Sequence, residues 1–215
     1  MAYQNSPFSN LEISVRPVNY EGINELWWVT QDTKSFNSPL SDWKTDKDYF
    51  LKYVKNKNTI VQAGGNCGLY ARFYGNYFDT IYTFEPDPSN FSCLKLNCQD
   101  EKYKIYNVAL GETSGKAVLQ FPKKKFKNAG IWQVVLDDCG DVEVITIDSL
   151  DLQTCDLIHL DVETFEPYVL KGAINTITKF RPVIILEAGH GHEVVLDLGY
   201  KIKEKLTSDW VLVYE

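Results

Sequence analysis

Apolar and polar positions change period several times along this chain, and the changes outline its elements. From residue 59 onward, short apolar runs alternate with longer runs carrying apolar side chains at helical spacing. The short runs are "TIVQA" (59–63), "TIYTFE" (80–85), "YKIYNVA" (103–109), "CDLIHLD" (155–161) and "PVIILE" (182–187). The stretches "CGLYARFYGNYF", "DPSNFSCLKLNCQD" and "EPYVLKGAINTITKF" predict helices between them. Near-continuous apolar strands spaced by helices predict an α/β fold, Rossmann-like, with a mostly parallel sheet covered on both faces. Pro167 falls where a first-turn proline fits. Another helix is predicted in "TDKDYFLKYVKN", with Thr45 or Asp46 as its N-cap.

Two segments depart from this alternation. Residues 115–148 hold "GKAVLQF", "IWQVVL" and "VEVITI", which read as inserted strands. The C-terminal "GYKIKEKLTSDWVLVYE" predicts an antiparallel hairpin at the sheet edge. Residues 1–44 mix short strand patterns with prolines at 7, 17 and 39, and read as an N-terminal extension to a domain over 45–215. Trp27 and Trp28 are adjacent, so in a strand they face opposite sides. One packs on the body, and the other is free to pack or to cover a substrate opening.

Composition narrows the setting. A chain of 215 residues with 44% hydrophobic content suffices for one sizeable domain. Its five cysteines form no C-x-x-C pair, so neither a zinc knuckle nor a disulfide framework is indicated, and reduced thiols in a cytoplasmic setting are expected. No signal peptide is visible in "MAYQNSPFSN". No apolar run approaches the roughly 20 residues of a membrane span. Residues 1–58 are electrically neutral, so the whole net charge of −7 lies in 59–215. An acidic body is a poor partner for nucleic acid. The basic "KKKFK" at 123–127 reads as a solvated loop.

The chemistry concentrates at "TIVQAGGNCGLY", where a strand breaks into a glycine-rich turn. Ligands of open α/β sheets sit beyond the carboxyl ends of the strands. A P-loop is excluded because no Gly-Lys-Ser/Thr follows. The dinucleotide fingerprint G-x-G-x-x-G fails at Asn66 and Leu69, which disfavours a nicotinamide dehydrogenase. Glu85, however, ends the second strand about 20 residues on, where an acid accepts ribose hydroxyls. A glycine turn and a ribose acid without a phosphate cradle suit a nucleoside cofactor lacking phosphate. S-adenosyl-L-methionine is such a molecule, and its sulfonium cation tolerates an acidic site.

Six ordered segments then carry a resemblance: "IVQAGGNCGLYA", "YTFEPDPSNFSCLKLNC", "NVALGETSG", "VITIDSL", "DLIHLDVETFEPYVLKGA" and "RPVIILE". Together they resemble the FkbM family of S-adenosylmethionine-dependent methyltransferases. The resemblance implies a seven-stranded methyltransferase sheet, a bound methyl donor and O-methylation of a hydroxyl on a small molecule or glycan. It implies that Gly64, Gly65, Asn66 and Gly68 line the methionine end of the donor. Glu85 would hold the ribose, with Pro86 and Asp87 shaping the adjacent turn. Asn107, Val108 and Ala109 would border the adenine, and Asp161 and Glu163 would face the reacting methyl.

Three positions differ from the family pattern. Gln62 stands where aspartate is typical, Thr164 where glycine is usual and His159 where lysine is common. Gln62 would contact the donor without supplying charge, which predicts weaker donor binding. Thr164 implies an ordinary L-residue backbone and a differently shaped loop. Both changes favour the rival reading, a non-catalytic binding protein that retains the fold.

Candidate proton acceptors gather at the strand ends: Asp161 and Glu163 after one strand, and Glu187, His190 and His192 in "LEAGHGH" after the next. Asp161 and Glu163 could instead cap the helix near Thr164. Asp148 is expected to cap a turn, His159 to lie in the core, and Tyr70 and Phe73 to pack there. Cys67 has no basic neighbour to activate it. The x-H-x-H spacing is too weak to assign a metal, so none is assigned. Acceptor contacts are expected from the extension, the 115–145 insertion and the "AGHGH" loop.

Overall fold

A computed structural model of the chain describes residues 12–30, 32, 35–120, 128 and 130–215. An antiparallel hairpin of β1 (Ile13–Tyr20) and β2 (Ile23–Val29) leads into α1 (Asn37–Lys52). Then follow β3 (Thr59–Ala63), α2 (Leu69–Tyr74), β4 (Thr80–Phe84), α3 (Pro88–Asn97) and β5 (Tyr103–Tyr106). An inserted group holds β6 (Ala109–Leu110), β7 (Gly115–Gln120), β8 (Gln133–Leu136) and β9 (Val142–Ile145). The chain continues through β10 (Leu157–Leu160), α4 (Glu166–Lys171), α5 (Ile174–Phe180), β11 (Val183–Glu187) and α6 (His192–Leu196). It ends on β12 (Tyr200–Lys205) and β13 (Asp209–Tyr214).

Seven of these strands form one sheet in the order β12-β13-β11-β10-β3-β4-β5. The pairs β3–β4, β4–β5, β3–β10 and β10–β11 are parallel, and β13 runs antiparallel to both β11 and β12. The expected α/β sheet with its C-terminal hairpin is therefore present. Strand order reverses between β3 and β10, so a crevice opens beyond their carboxyl ends. The inserted strands make a second sheet, β6-β9-β7-β8. The run "YKIYNVA" splits between the two sheets. Asn107 breaks it, because its side-chain amide donates to the Glu85 and Pro86 carbonyls at 2.8 and 3.2 Å.

The first helix begins at Asn37, about two turns before the expected start at Thr45. Pro39 sits in its first turn, where a missing N–H costs no intrahelical bond. Thr45 is mid-helix, and its hydroxyl donates to the Ser41 and Asp42 carbonyls. The third expected helix divides into α4 and α5 at Gly172. A Cβ there would lie 2.0 Å from the Gly111 carbonyl oxygen, so the chain bends where backbones touch. Asp148 caps the first turn of α5, accepting the Asn175 and Thr176 N–H groups at 3.0 and 2.8 Å.

Alternate residues of each central strand feed two cores. On one face, Ile60, Ile81 and Leu157 pack with α1, α2, α3 and the hairpin. On the other, Val61, Ile158, Leu160 and Ile184 pack under α4, α5 and α6. Trp43 centres the first core, stacked on Phe73 at 5.0 Å and edge-on to Tyr74 at 4.9 Å. His159 is fully buried there as expected, with Nδ1 2.8 Å from the Tyr74 hydroxyl. The side chain of Asn97 clamps β2 to α3 by bonding the Trp27 N–H and carbonyl, both at 2.8 Å. Trp28 is buried and Trp27 is 39% exposed, the opposed facing that adjacency demands.

Candidate active site

The glycine turn is shaped from below and beside. Gly64 has φ +80°, and a Cβ on it would lie 1.8 Å from the Asp161 carbonyl oxygen. Only glycine fits that approach of β3 to β10. The Gly65 N–H donates to the Phe84 carbonyl at 2.8 Å. The Asn66 N–H donates to Glu85 Oε2 at 2.7 Å, and the Asp87 N–H to Oε1 at 2.8 Å. Both oxygens of this buried carboxylate are thus aimed by backbone. Burial pushes the Glu85 carboxyl up to about 8; the Asp87 charge adds to the rise and the two N–H bonds oppose it.

Two cavities meet at this carboxylate. A cleft of about 380 Å³ lies over the turn, bordered by Gly64, Gly65, Asn66, Tyr70, Asp161 and Glu163. A narrow apolar slot continues past Glu85 between Phe84, Pro86, Val108, Ala109, Trp132 and Phe165. Gly64, Glu85, Asp161 and Glu163 border both.

The far wall of the cleft is acidic. Asp161, Glu163 and Glu187 each offer a carboxylate oxygen, all within 4.8 Å of one another. Asp42 and Asp209 complete the wall, and no lysine or arginine lines either cavity among the described residues. Burial, and then the charges of Glu187 and Asp209, holds the Asp161 carboxyl well above the usual range. Burial, with Glu187 and Glu166 adding, lifts Glu163 to about 7. Glu187 is raised by burial and shares a hydrogen bond with Asp161. Such a wall repels anions and is relieved by a cation.

The family described as "Methyltransferase FkbM domain" matches residues 55–207, more than half of the chain. The chain belongs to the FkbM methyltransferase family. Among similar proteins, "Hexuronic acid methyltransferase AglP" of Haloferax volcanii is 20% identical over 172 residues, covering 77% of this chain and 67% of that protein. A crystal structure of methyltransferase FkbM from Methylobacillus flagellatus KT superposes with a TM-score of 0.51 at 16% identity. The match covers 74% of this chain and 44% of that one, so this chain spans less than half of that protein's length. The likeness shows a shared fold.

In this member of the FkbM family, nine expected site residues border the cavities: Gly64, Gly65, Asn66, Glu85, Pro86, Val108, Ala109, Asp161 and Glu163. The others do other work. Gln62 lies wholly buried beneath the turn. Its Nε2 donates to the Ala63 and Gly64 carbonyls at 3.2 and 3.0 Å, and its Oε1 accepts from the Thr83 hydroxyl at 2.6 Å. It holds the turn and faces neither cavity. Gly68 opens α2 with φ +93° and packs against Leu94. Asp87 caps α3, accepting from the Ser89 and Asn90 N–H groups at 2.9 Å each.

The two histidines also lie off the cleft. His192 Nδ1 is 2.8 Å from the Gly189 carbonyl and its ring packs on Trp210. His190 sits beside Glu166, 3.7 Å from its Oε2. Neither Asp161 nor Glu163 caps α4; Glu166 instead accepts the Val162 N–H at 2.8 Å. Thr164 overturns the expected ordinary backbone: its φ is +77°, after +54° at Glu163. The loop keeps a glycine-like path because the chain must leave β10 with Asp161 against Gly64 and then turn into α4.

Sequence reasoning missed part of the wall. Ser35, Ser38, Pro39 and Asp42 reach the cleft from the α1 entrance, as the extension was expected to, and Asn128, Gly130 and Ile131 from the insertion. Ser208 and Asp209 come from the hairpin turn, where the "AGHGH" loop was expected. No local motif marks these residues; the antiparallel β13 beside β11 delivers them. The "KKKFK" cluster lies outside the described residues. No helix among the described residues is long and apolar enough to cross a membrane.

Proposed function

We propose that this methyltransferase takes its methyl group from S-adenosylmethionine and places it on a hydroxyl of a glycan or small molecule. The observation that carries the reading is Glu85: buried, aimed by two N–H groups, at the junction of an apolar slot and a glycine-lined cleft. The Asn66 and Asp87 N–H groups and the Asn90 side chain bond this carboxylate, and its remaining acceptor capacity is available to a ribose hydroxyl. The apolar walls of the slot suit the faces of an adenine ring. Over the turn, the acidic wall suits a sulfonium and an ammonium group. In this reading residues 45–215 carry the donor-binding elements, and residues 1–44, joined to them through α1 and the shared core, lend part of the acceptor wall.

When bound, the donor supplies an electrophilic methyl: its carbon bonds to the acceptor oxygen as the methyl–sulfur bond breaks and the electron pair stays on sulfur. The chain contributes position and a proton acceptor. Glu163, with its carboxyl near neutrality, takes the hydroxyl proton. Asp161, hydrogen-bonded to Glu187, fixes the oxygen's approach. The sugar in the name of AglP supports a glycan acceptor, and the acidic wall of this cleft favours a neutral sugar over a sugar acid. Gln62 lends the non-catalytic rival no support, since its side chain is spent on the turn rather than on a ligand.

Incubation with isotope-labelled S-adenosylmethionine and a panel of sugars and sugar acids, read by mass spectrometry, tests the proposal. Labelled methyl ether and demethylated donor in equal amounts are expected. Donor binding without any methylated product across the panel would favour the rival.

A further inference from the structure

Beside the cleft, three side chains converge that the proposed transfer does not use together. Glu166 opens α4, Glu187 closes β11 and His190 lies in the turn that follows. They offer two carboxylate oxygens and a ring nitrogen, all within 4.8 Å of one another. Glu166 is fully buried. Its Oε1 accepts the Val162 N–H, but its Oε2 has no partner. His190 Nδ1 is also buried without a partner and lies 3.7 Å from that oxygen, beyond hydrogen-bond reach. Buried polar atoms left unpaired are rare, and two facing each other mark a place for a third party.

We propose that Glu166, Glu187 and His190 bind a divalent first-row transition ion such as Mn²⁺ or Zn²⁺. Two carboxylates balance its charge, and the imidazole favours these ions over Mg²⁺ and Ca²⁺, which take oxygen ligands. Glu166 Oε2 and His190 Nδ1 would then both be satisfied. Glu187 belongs to the ion and to the cleft wall at once, so the ion would set the shape and charge of the acceptor side. Ion binding at this site requires neither donor nor acceptor.

Titrating the chelator-stripped full chain with Mn²⁺ alone, with free ion followed by electron paramagnetic resonance, is the test. One ion per chain is expected. His190→Ala should weaken binding by about tenfold or more. Its side chain is 40% exposed, so the fold should survive its loss. Glu166→Gln should weaken binding likewise, and His192→Ala should leave it unchanged. Absent binding, or equal binding by His190→Ala and the unaltered chain, would overturn the site. Binding lost in Asp161→Asn but kept in His190→Ala would move the ion to the Asp161–Glu163–Glu187 group and equally overturn it.

Discussion

Replacing Glu85 by glutamine changes one heavy atom of the site and little of its volume. In the unaltered chain, Oε2 accepts from Asn66 at 2.7 Å and Oε1 from Asp87 at 2.8 Å. Glutamine keeps one acceptor and turns the other into an NH₂ group that faces a backbone N–H. One charge-assisted bond to the ribose diol disappears with it. Losing such a bond in a buried site costs about 1–3 kcal/mol, or roughly 5- to 150-fold in affinity. Isothermal calorimetry with S-adenosylhomocysteine at about pH 8, near the carboxyl's own pKa of about 8, reads the change. Thermal melts of both proteins separate weaker binding from unfolding. An affinity within twofold of the unaltered chain, with melting preserved, would refute the ribose assignment.

Four further outcomes follow from the same geometry. Gly64→Ala should lose more than about 2 kcal/mol of stability, because its Cβ meets the Asp161 carbonyl and its φ is +80°; a denaturant melt that does not move contradicts this. Thr164→Gly should raise stability by about 1 kcal/mol by relieving a β-branched residue at φ +77°, seen as a higher melting temperature. Gln62→Glu should destabilise by about 1–3 kcal/mol, since a carboxylate cannot donate to the Ala63 and Gly64 carbonyls, and should not tighten donor binding. The pH dependence is set by Glu85 at about 8, Glu163 at about 7 and the raised Asp161, Glu166 and Glu187. Above the ordinary carboxylate value of 4.5 the unfolded chain ionises while these groups resist. Their stabilisation is complete below that value and fades as pH rises towards 8, so the ligand-free protein should melt lower at pH 8 than at pH 5; a flat or rising profile contradicts the buried-acid account.

Backbone placement was legible in the sequence where local pattern decides it. The strand "TIVQA" coincides with β3 because apolar content and the glycine break agree on both ends. Glu85 was readable because strand length and crossover length place an acid beside the turn. Side-chain direction was not readable. Gln62 occupies an informative position, yet Thr83 and two carbonyls draw it beneath the turn, and those partners appear only once β3 and β4 pair. His190 and His192 sit on the expected rim, but the four-residue turn over 188–191 points them at Glu166 and Trp210 instead of the cleft. The start of α1 was missed because Pro39 reads as a breaker, although a first-turn proline breaks no bond. Asp42, Ser208 and Asp209 join the wall through long-range packing that no local pattern encodes.

The most direct test of the central claim is a crystal structure with S-adenosylhomocysteine bound. The account requires the ribose diol within hydrogen-bond distance of both Glu85 oxygens and the adenine in the slot beside Val108 and Ala109. A nucleoside lodged elsewhere, or in the cleft with its ribose turned away from Glu85, would contradict it.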